Sequence, residues 1–449
     1  MNSTQRWKGL AALVLALSLI AAACGGRDDE GSSGGSGSDG SGTDDTTEEA
    51  ADLADPAMCE NYSPTQGVTD DTILIGNSLP QSGLYSVFDK VRVGIEGYFT
   101  YANEQGGVDG RDLVLKSLDD QYLPEKTRAN VETLVNTDEV FALVGMVGTE
   151  NNLQVSQFLA EQGLCVPNLA VATGYPGFGD PANDPWIING LPNYSLEAIA
   201  FADYLEKNQP TAKVALLAQN DSFGESYVTA FKKAIEGTDI TIVDEQNFDP
   251  KTESNPQGQV TTLASSGADA LLLGVTALPC ANALKAIKDS GWAPTTYMTL
   301  TCSSKTLMDI AGPAAEGMLS TRATYDPGDP ASAQEPAVVD FKEQGAAAGL
   351  SEADLNDLNV AAGWGFGAYL VQLLNASPEL DRSTVMNTAW FQDGVTFGLQ
   401  LEGIEWTTDG EKDPYGLSQL QFVKREGTSW VPHGDVIDYS EQLEAQIGD

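Results

Sequence analysis

Histidine is nearly missing: His433 is the only one in 449 residues. That scarcity excludes most histidine-based metal centres and most Ser-His or Cys-His triads, and its place between Pro432 and Gly434 suits a surface turn. Basic residues are scarce as well, with 23 Lys and Arg against 65 Asp and Glu and a net charge of −42. Nucleic acid, whose phosphates need cations, is excluded as a partner, and so is docking on anionic lipid through a basic patch. The acidity reads as a solubility device. No CxxC spacing occurs among the five cysteines, so neither a zinc site nor any other metal is expected. "GYPGFGD" has three glycines at the wrong spacing for a dinucleotide loop, and no cofactor is expected. Asp119 and Asp120 lack a positioned partner acid, so the chain does not read as an enzyme. No apolar run reaches the ~18 residues of a membrane span.

What is present begins with a signal. Arg6 and Lys8 precede an apolar run from Leu10 to Ala23, which ends in small residues and Cys24. A positive start, a short apolar core and small residues describe a secretion signal. An ordinary signal needs no cysteine at that point, and Ala21-Ala22-Ala23-Cys24 resembles the bacterial lipobox. The resemblance implies cleavage before Cys24 and lipidation of its sulfur. From Cys24 to Ala57 the chain is Gly/Ser-rich and then acidic, with no aromatic residue. Such a segment buries too little to offset its ordering entropy. It is expected to be a disordered tether over residues 24–57, holding a globular body to the extracytoplasmic face of the cell membrane.

The body alternates β-branched runs with amphipathic ones. "TILIGNS", "LVLKSLDD", "VFALVGMV", "CVPNLAVA" and "WIINGL" read as strands, with helices over 91–103, 125–135 and 152–162 between them. The pattern restarts with "KVALLAQ", "TIVDEQNF", "ADALLLGV", "YMTLT" and "GMLSTRATY". Strands separated by helices of this length indicate βαβ units and parallel sheets. The fold class is therefore α/β, with two open, mainly parallel sheets flanked by helices. A long helix is expected over 355–374, and an edge hairpin over "LSQLQFVKRE" and "SWVPHGDVID".

"YANEQGGVDGRDLVLKSLDDQYLPEKTRANVETLV" (101–135), "GNSLPQSG" (76–83), "IAGPAAEGMLSTRATYDP" (310–327) and "IEWTTDGEKDPYGLSQLQFV" (404–423) together resemble the type I periplasmic solute-binding proteins of the branched-chain amino acid and amide transport group. The similarity runs from Gly67 to the C-terminus. It implies two lobes and three hinge crossings, near Leu191–Tyr194, Arg322–Asp326 and Gln400–Thr407. Lobe 1 is then 58–192 with 325–402, and lobe 2 is 193–324 with 403–449.

The resemblance also places a ligand in the cleft between lobes. From lobe 1 it implies Phe88 stacking over the solute, Gly148 and Thr149 at a helix start, and Ala172-Thr173 gripping a carboxylate. Free N–H groups and the positive helix end suit an anion there, and Thr149 also reads as a helix cap. From lobe 2 come Phe223, Thr276 and Thr301. Amino-acid binders of this group place a carboxylate near the last position, and "YMTLTCSSK" (297–305) has none. That weighs against a free α-amino acid and admits a neutral or anionic solute, unless Asp221 or Glu225 compensates.

The four cysteines beyond Cys24 can pair in three ways. In the implied fold Cys280 and Cys302 share the carboxyl edge of one sheet, and Cys59 and Cys165 share the amino edge of the other. The expected disulfides are therefore Cys59–Cys165 and Cys280–Cys302. The functional expectation is a monomeric, lipid-anchored binding protein that takes up a small polar solute (amino acid, amide or related carboxylate) and delivers it to an ABC-type permease. A ligand-sensing module that signals to a membrane partner is the alternative.

Overall fold

The computed structural model describes residues 52–447. Cys24, its expected lipid and most of the tether lie outside the described residues. In chain order the first half is β1 (Thr72–Leu79), α1 (Asp89–Glu104), β2 (Asp112–Asp119), α2 (Pro124–Asn136), β3 (Ala142–Val144), α3 (Thr149–Glu161), β4 (Asn168–Val171) and β5 (Ile187–Asn189). These strands form a parallel sheet in the order β2-β1-β3-β4-β5. Both faces of such a sheet are covered, which is why β3, β4 and β5 are buried at every position.

The second sheet follows α4 (Tyr194–Asn208). Its parallel part alternates β6 (Lys213–Gln219), α5 (Ser222–Ala234), β7 (Thr241–Phe248), α6 (Gln257–Leu263), β8 (Ala270–Gly274), α7 (Leu278–Ser290), β9 (Thr295–Met298), α8 (Lys305–Ala311) and β10 (Leu319–Arg322). The chain then returns to the first sheet with α9 (Pro336–Ala347), α10 (Leu358–Ala376), α11 (Arg382–Trp390), β11 (Phe391–Val395) and β12 (Trp406–Asp409). It ends with β13 (Gln419–Glu426), β14 (Ser429–Asp438) and α12 (Ser440–Ile447), completing a seven-stranded order β14-β13-β10-β9-β8-β6-β7. β13 and β14 are the expected antiparallel hairpin, with β14 at the sheet edge. His433 therefore lies exposed within a strand, not in a turn.

The long helix α10 packs on α1 through glycine. A Cβ on Gly363 would stand 1.9 Å from the Val91 carbonyl oxygen, and one on Gly94 2.0 Å from that of Val360. Only glycine lets two helix backbones come so close.

Two expected boundaries move. Residues 52–57, expected in the tether, are docked on α11. Ala54 is fully buried, its N–H donates to Asn387 Oδ1 (2.9 Å), and its carbonyl accepts from Ser383 Oγ (2.6 Å). Residues 403–412 were expected in lobe 2. β12 instead pairs with β11, and Thr408 Oγ1 donates to the Ala389 carbonyl at the end of α11. The last crossing consequently lies later, over 413–418, where Tyr415 donates to the Pro176 carbonyl and Ser418 accepts from the Tyr439 N–H. At the middle crossing Thr324 pairs with Gln400 in a short antiparallel bridge, so those two segments support one another.

Cys59 joins Cys165 at a Cα separation of 5.8 Å, and Cys280 joins Cys302 at 5.7 Å. Among the described residues, no helix is long and apolar enough to cross a membrane, and no cluster of His, Cys, Asp or Glu could hold a metal ion.

Candidate ligand-binding cleft

The carboxyl ends of β3 and β4 face those of β6, β8 and β9 across one cavity, as expected for ligands of open α/β sheets. Phe88, Gly148, Thr149 and Ala172 line it from the first sheet, and Phe223, Thr276 and Thr301 from the second. Thr173 is not on the wall. It is fully buried behind Thr149, with the two hydroxyl oxygens 2.8 Å apart.

That contact corrects the capping expectation. The N-cap of α3 is Gly148 (φ 104°), Thr149 is already helical, and no side chain caps the helix. Engaged with Thr173, the Thr149 hydroxyl is not available to its own helix start, so the first N–H groups of α3 remain for whatever enters the cleft. Gly148 is required sterically as well, since a Cβ there would lie 2.8 Å from the Tyr122 ring and 2.6 Å from Asn151 Oδ1. Opposite, Thr276 is 3 % exposed; its N–H donates to Gln219 Oε1 (3.1 Å), and its hydroxyl has no protein partner. Thr301 sits in a 3-10 turn over Leu300–Cys302, because β9 stops at Met298 rather than running on to Thr301.

The aromatic wall is larger than the sequence indicated. Tyr85 stacks on Tyr122 (centroids 4.1 Å apart) and lies beside Phe88 (6.5 Å), while Tyr194 packs edge-on against Phe223 (4.9 Å). Burial raises the Tyr122 and Tyr194 phenols, so both enter the cleft as neutral hydroxyls.

The acids near the cleft are engaged elsewhere. Asp221 caps α5, accepting from the Gly224 N–H and from Gln219 Nε2, each at 3.0 Å. Glu225 is exposed in the first turn of that helix. Glu197, on α4, was not singled out by sequence. It is fully buried and accepts from the Tyr227 hydroxyl (2.6 Å), the Tyr297 hydroxyl (2.7 Å) and the Leu300 N–H (2.7 Å). It therefore holds the Leu300–Thr301 turn from behind. Burial raises its carboxyl to about 7, against the donors that pull it down.

Polar contacts span the cleft away from the hinge. Glu150 Oε1, at the start of α3, accepts from the Ser222 N–H (2.9 Å) and hydroxyl (2.6 Å), which open α5. The Tyr85 hydroxyl donates to the Pro250 carbonyl at 3.3 Å. A carboxylate placed on the first turn of the opposite helix gains from the N-terminal end of its dipole.

The periplasmic binding protein family model matches residues 72–404. The chain belongs to the periplasmic binding protein family. The Leu/Ile/Val-binding protein homolog 3 of Brucella melitensis is 28 % identical over 261 residues, which cover 58 % of this chain and 70 % of that protein. A branched-chain amino acid ABC transporter protein from Thermus thermophilus, solved with bound valine, superposes with TM-score 0.75 at 21 % identity, over 84 % of this chain and all of that one. A fatty acid ABC transporter substrate-binding protein from Thermomonospora curvata superposes at TM-score 0.70 and 20 % identity, over 84 % and 95 % of the respective chains. The fold is the two-lobed type I form of the family.

Proposed function

We propose that this member of the family captures a small solute between its lobes and delivers it to an ABC permease. Phe88, Gly148, Thr149, Ala172, Phe223, Thr276 and Thr301 would touch the solute, and Thr173 would hold Thr149 in place. The N–H groups of α3 and the Thr276 hydroxyl would meet an acceptor group on it, as in a carboxylate or an amide. Cys24 would carry the lipid, with the residues up to 51 as the leash that keeps a monomeric body at the extracytoplasmic face. Catalysis forms no part of this reading. The observation that carries the reading is the cavity itself, walled from both sheets and crossed by the Glu150–Ser222 bonds. Closure of this kind is a population shift driven by a ligand that touches both halves.

The test is thermal melting of the purified full-length protein, stripped of carried ligand, against carboxylic acids, short amides and amino acids. A solute at one hundred times its dissociation constant adds about 2.7 kcal/mol. At least one acid or amide is expected to raise the midpoint; no shift with any of them contradicts the reading.

A further inference from the structure

The same cavity is also lined by the end of β10, the first turn of α10 and Trp430, a side chamber beside the hinge. Three charged side chains line the whole cavity: Arg322, Asp326 and Asp329. Each acid already accepts two backbone N–H groups. Asp326 accepts from the Lys305 and Gly328 N–H groups, both at 2.8 Å, and Asp329 from those of Ala331 (2.9 Å) and Trp430 (2.6 Å).

Arg322 is different. Its Nε and Nη2 converge on a single neutral oxygen, Gln421 Oε1, at 3.1 and 2.9 Å, and no carboxylate pairs with it. Gln421 is fixed from behind, its Nε2 donating to the Gly434 carbonyl at 3.2 Å. The Tyr325 ring lies 5.6 Å from the guanidinium carbon. Glu335, the other nearby acid, is bonded to the Tyr325 phenol. Burial lowers the Arg322 pKa, against the pull of the nearby Tyr325, Asp329 and Glu335, none of which is hydrogen-bonded to the guanidinium. A guanidinium offers a planar fork matched to a carboxylate. Leu358, Ala362, Phe366 and Phe397 give this part of the wall an apolar stretch, alongside the polar Asn359 and Gln400.

We propose that Arg322 holds the carboxylate of an organic acid whose apolar body lies along Leu358, Ala362, Phe366 and Phe397. The inference rests on the capture reading and deepens it by naming the solute class. An α-amino acid fits less well, because its ammonium would have to share Asp326 or Asp329, each already accepting two backbone N–H groups.

The experiment is calorimetric titration of the stripped full-length protein with benzoate, octanoate, suberate, leucine and valine, and with the primary amides of the acids. An acid is expected to bind, with its amide weaker. Arg322→Met should weaken the acid by roughly 10- to 100-fold, the loss of a charge-assisted hydrogen bond, and leave the amide unchanged. Arg322→Lys should fall between, since it keeps the charge and loses the fork. Equal binding of acid and amide by the wild type overturns the inference without reference to any variant. So does an Arg322→Met protein that melts normally and binds the acid unchanged, or binding confined to leucine and valine; these results leave the capture reading standing. If no compound binds, both are overturned.

Discussion

Glu197 is a carboxylate surrounded by donors that come from 30, 100 and 103 residues away in the chain. Its neighbours in sequence give no hint of this, so it was not legible as part of the site, whereas Thr149, at a helix start, and Thr276, in a short loop, follow closely after strands and were. Arg322 was placed at a crossing, but its role depends on Gln421, across an antiparallel pair formed only in the fold. The linkage for Glu197 has a definite sign. Its carboxyl is raised from 4.5 to about 7, so its contribution to stability is complete below pH 4.5 and is lost as pH rises through 7, a change of about 3 kcal/mol. Glu197→Gln removes that titration and replaces the oxygen that accepts from the Tyr227 hydroxyl by an NH2, a lost hydrogen bond worth roughly 0.5–1.5 kcal/mol. The variant is expected to melt below wild type at pH 5, with the gap narrowing by pH 8. A gap that widens with pH means that Glu197 is ionised and stabilised by its donors.

At the scale of elements, legibility followed local pattern. "KVALLAQ" and "TIVDEQNF" coincide with β6 and β7 because their β-branched and apolar residues sit between clear breaks. β9 was read too long, since "LTC" looks like strand but turns into a 3-10 segment where Glu197 takes the Leu300 N–H. Residues 52–57 were lost in a polar average, although Ala54 and two polar side chains of α11 are enough to seat them. The packing of α1 on α10 was not legible either, because glycine in a helix pattern signals weakness until its partner helix is known. That contact supports a direct prediction. Gly363→Ala places a methyl against the Val91 carbonyl, and it should destabilise the protein by at least the ~1–3 kcal/mol of ordinary overpacking, read from chemical denaturation. A change below 0.5 kcal/mol, the scale of neutral surface substitutions, contradicts the close approach of the two helices.

For the molecule as a whole, the two-sheet architecture was readable from the restart of the βα pattern after 191, and the resemblance supplied the order of the lobes. The closing contacts were not readable. They join Glu150 to Ser222 and Tyr85 to Pro250, pairs far apart in the chain that the approach of the two lobes brings together. The account therefore predicts motion: the bonds across the cleft should form when solute fills it and open when it is gone. The most direct measurement is small-angle X-ray scattering of the full-length protein, stripped of ligand and then saturated with the tightest solute found by melting. The account predicts a smaller radius of gyration on saturation, and a smaller change in Glu150→Ala, which lacks the acceptor for Ser222. An unchanged radius in wild type, with solute demonstrably bound, would contradict it.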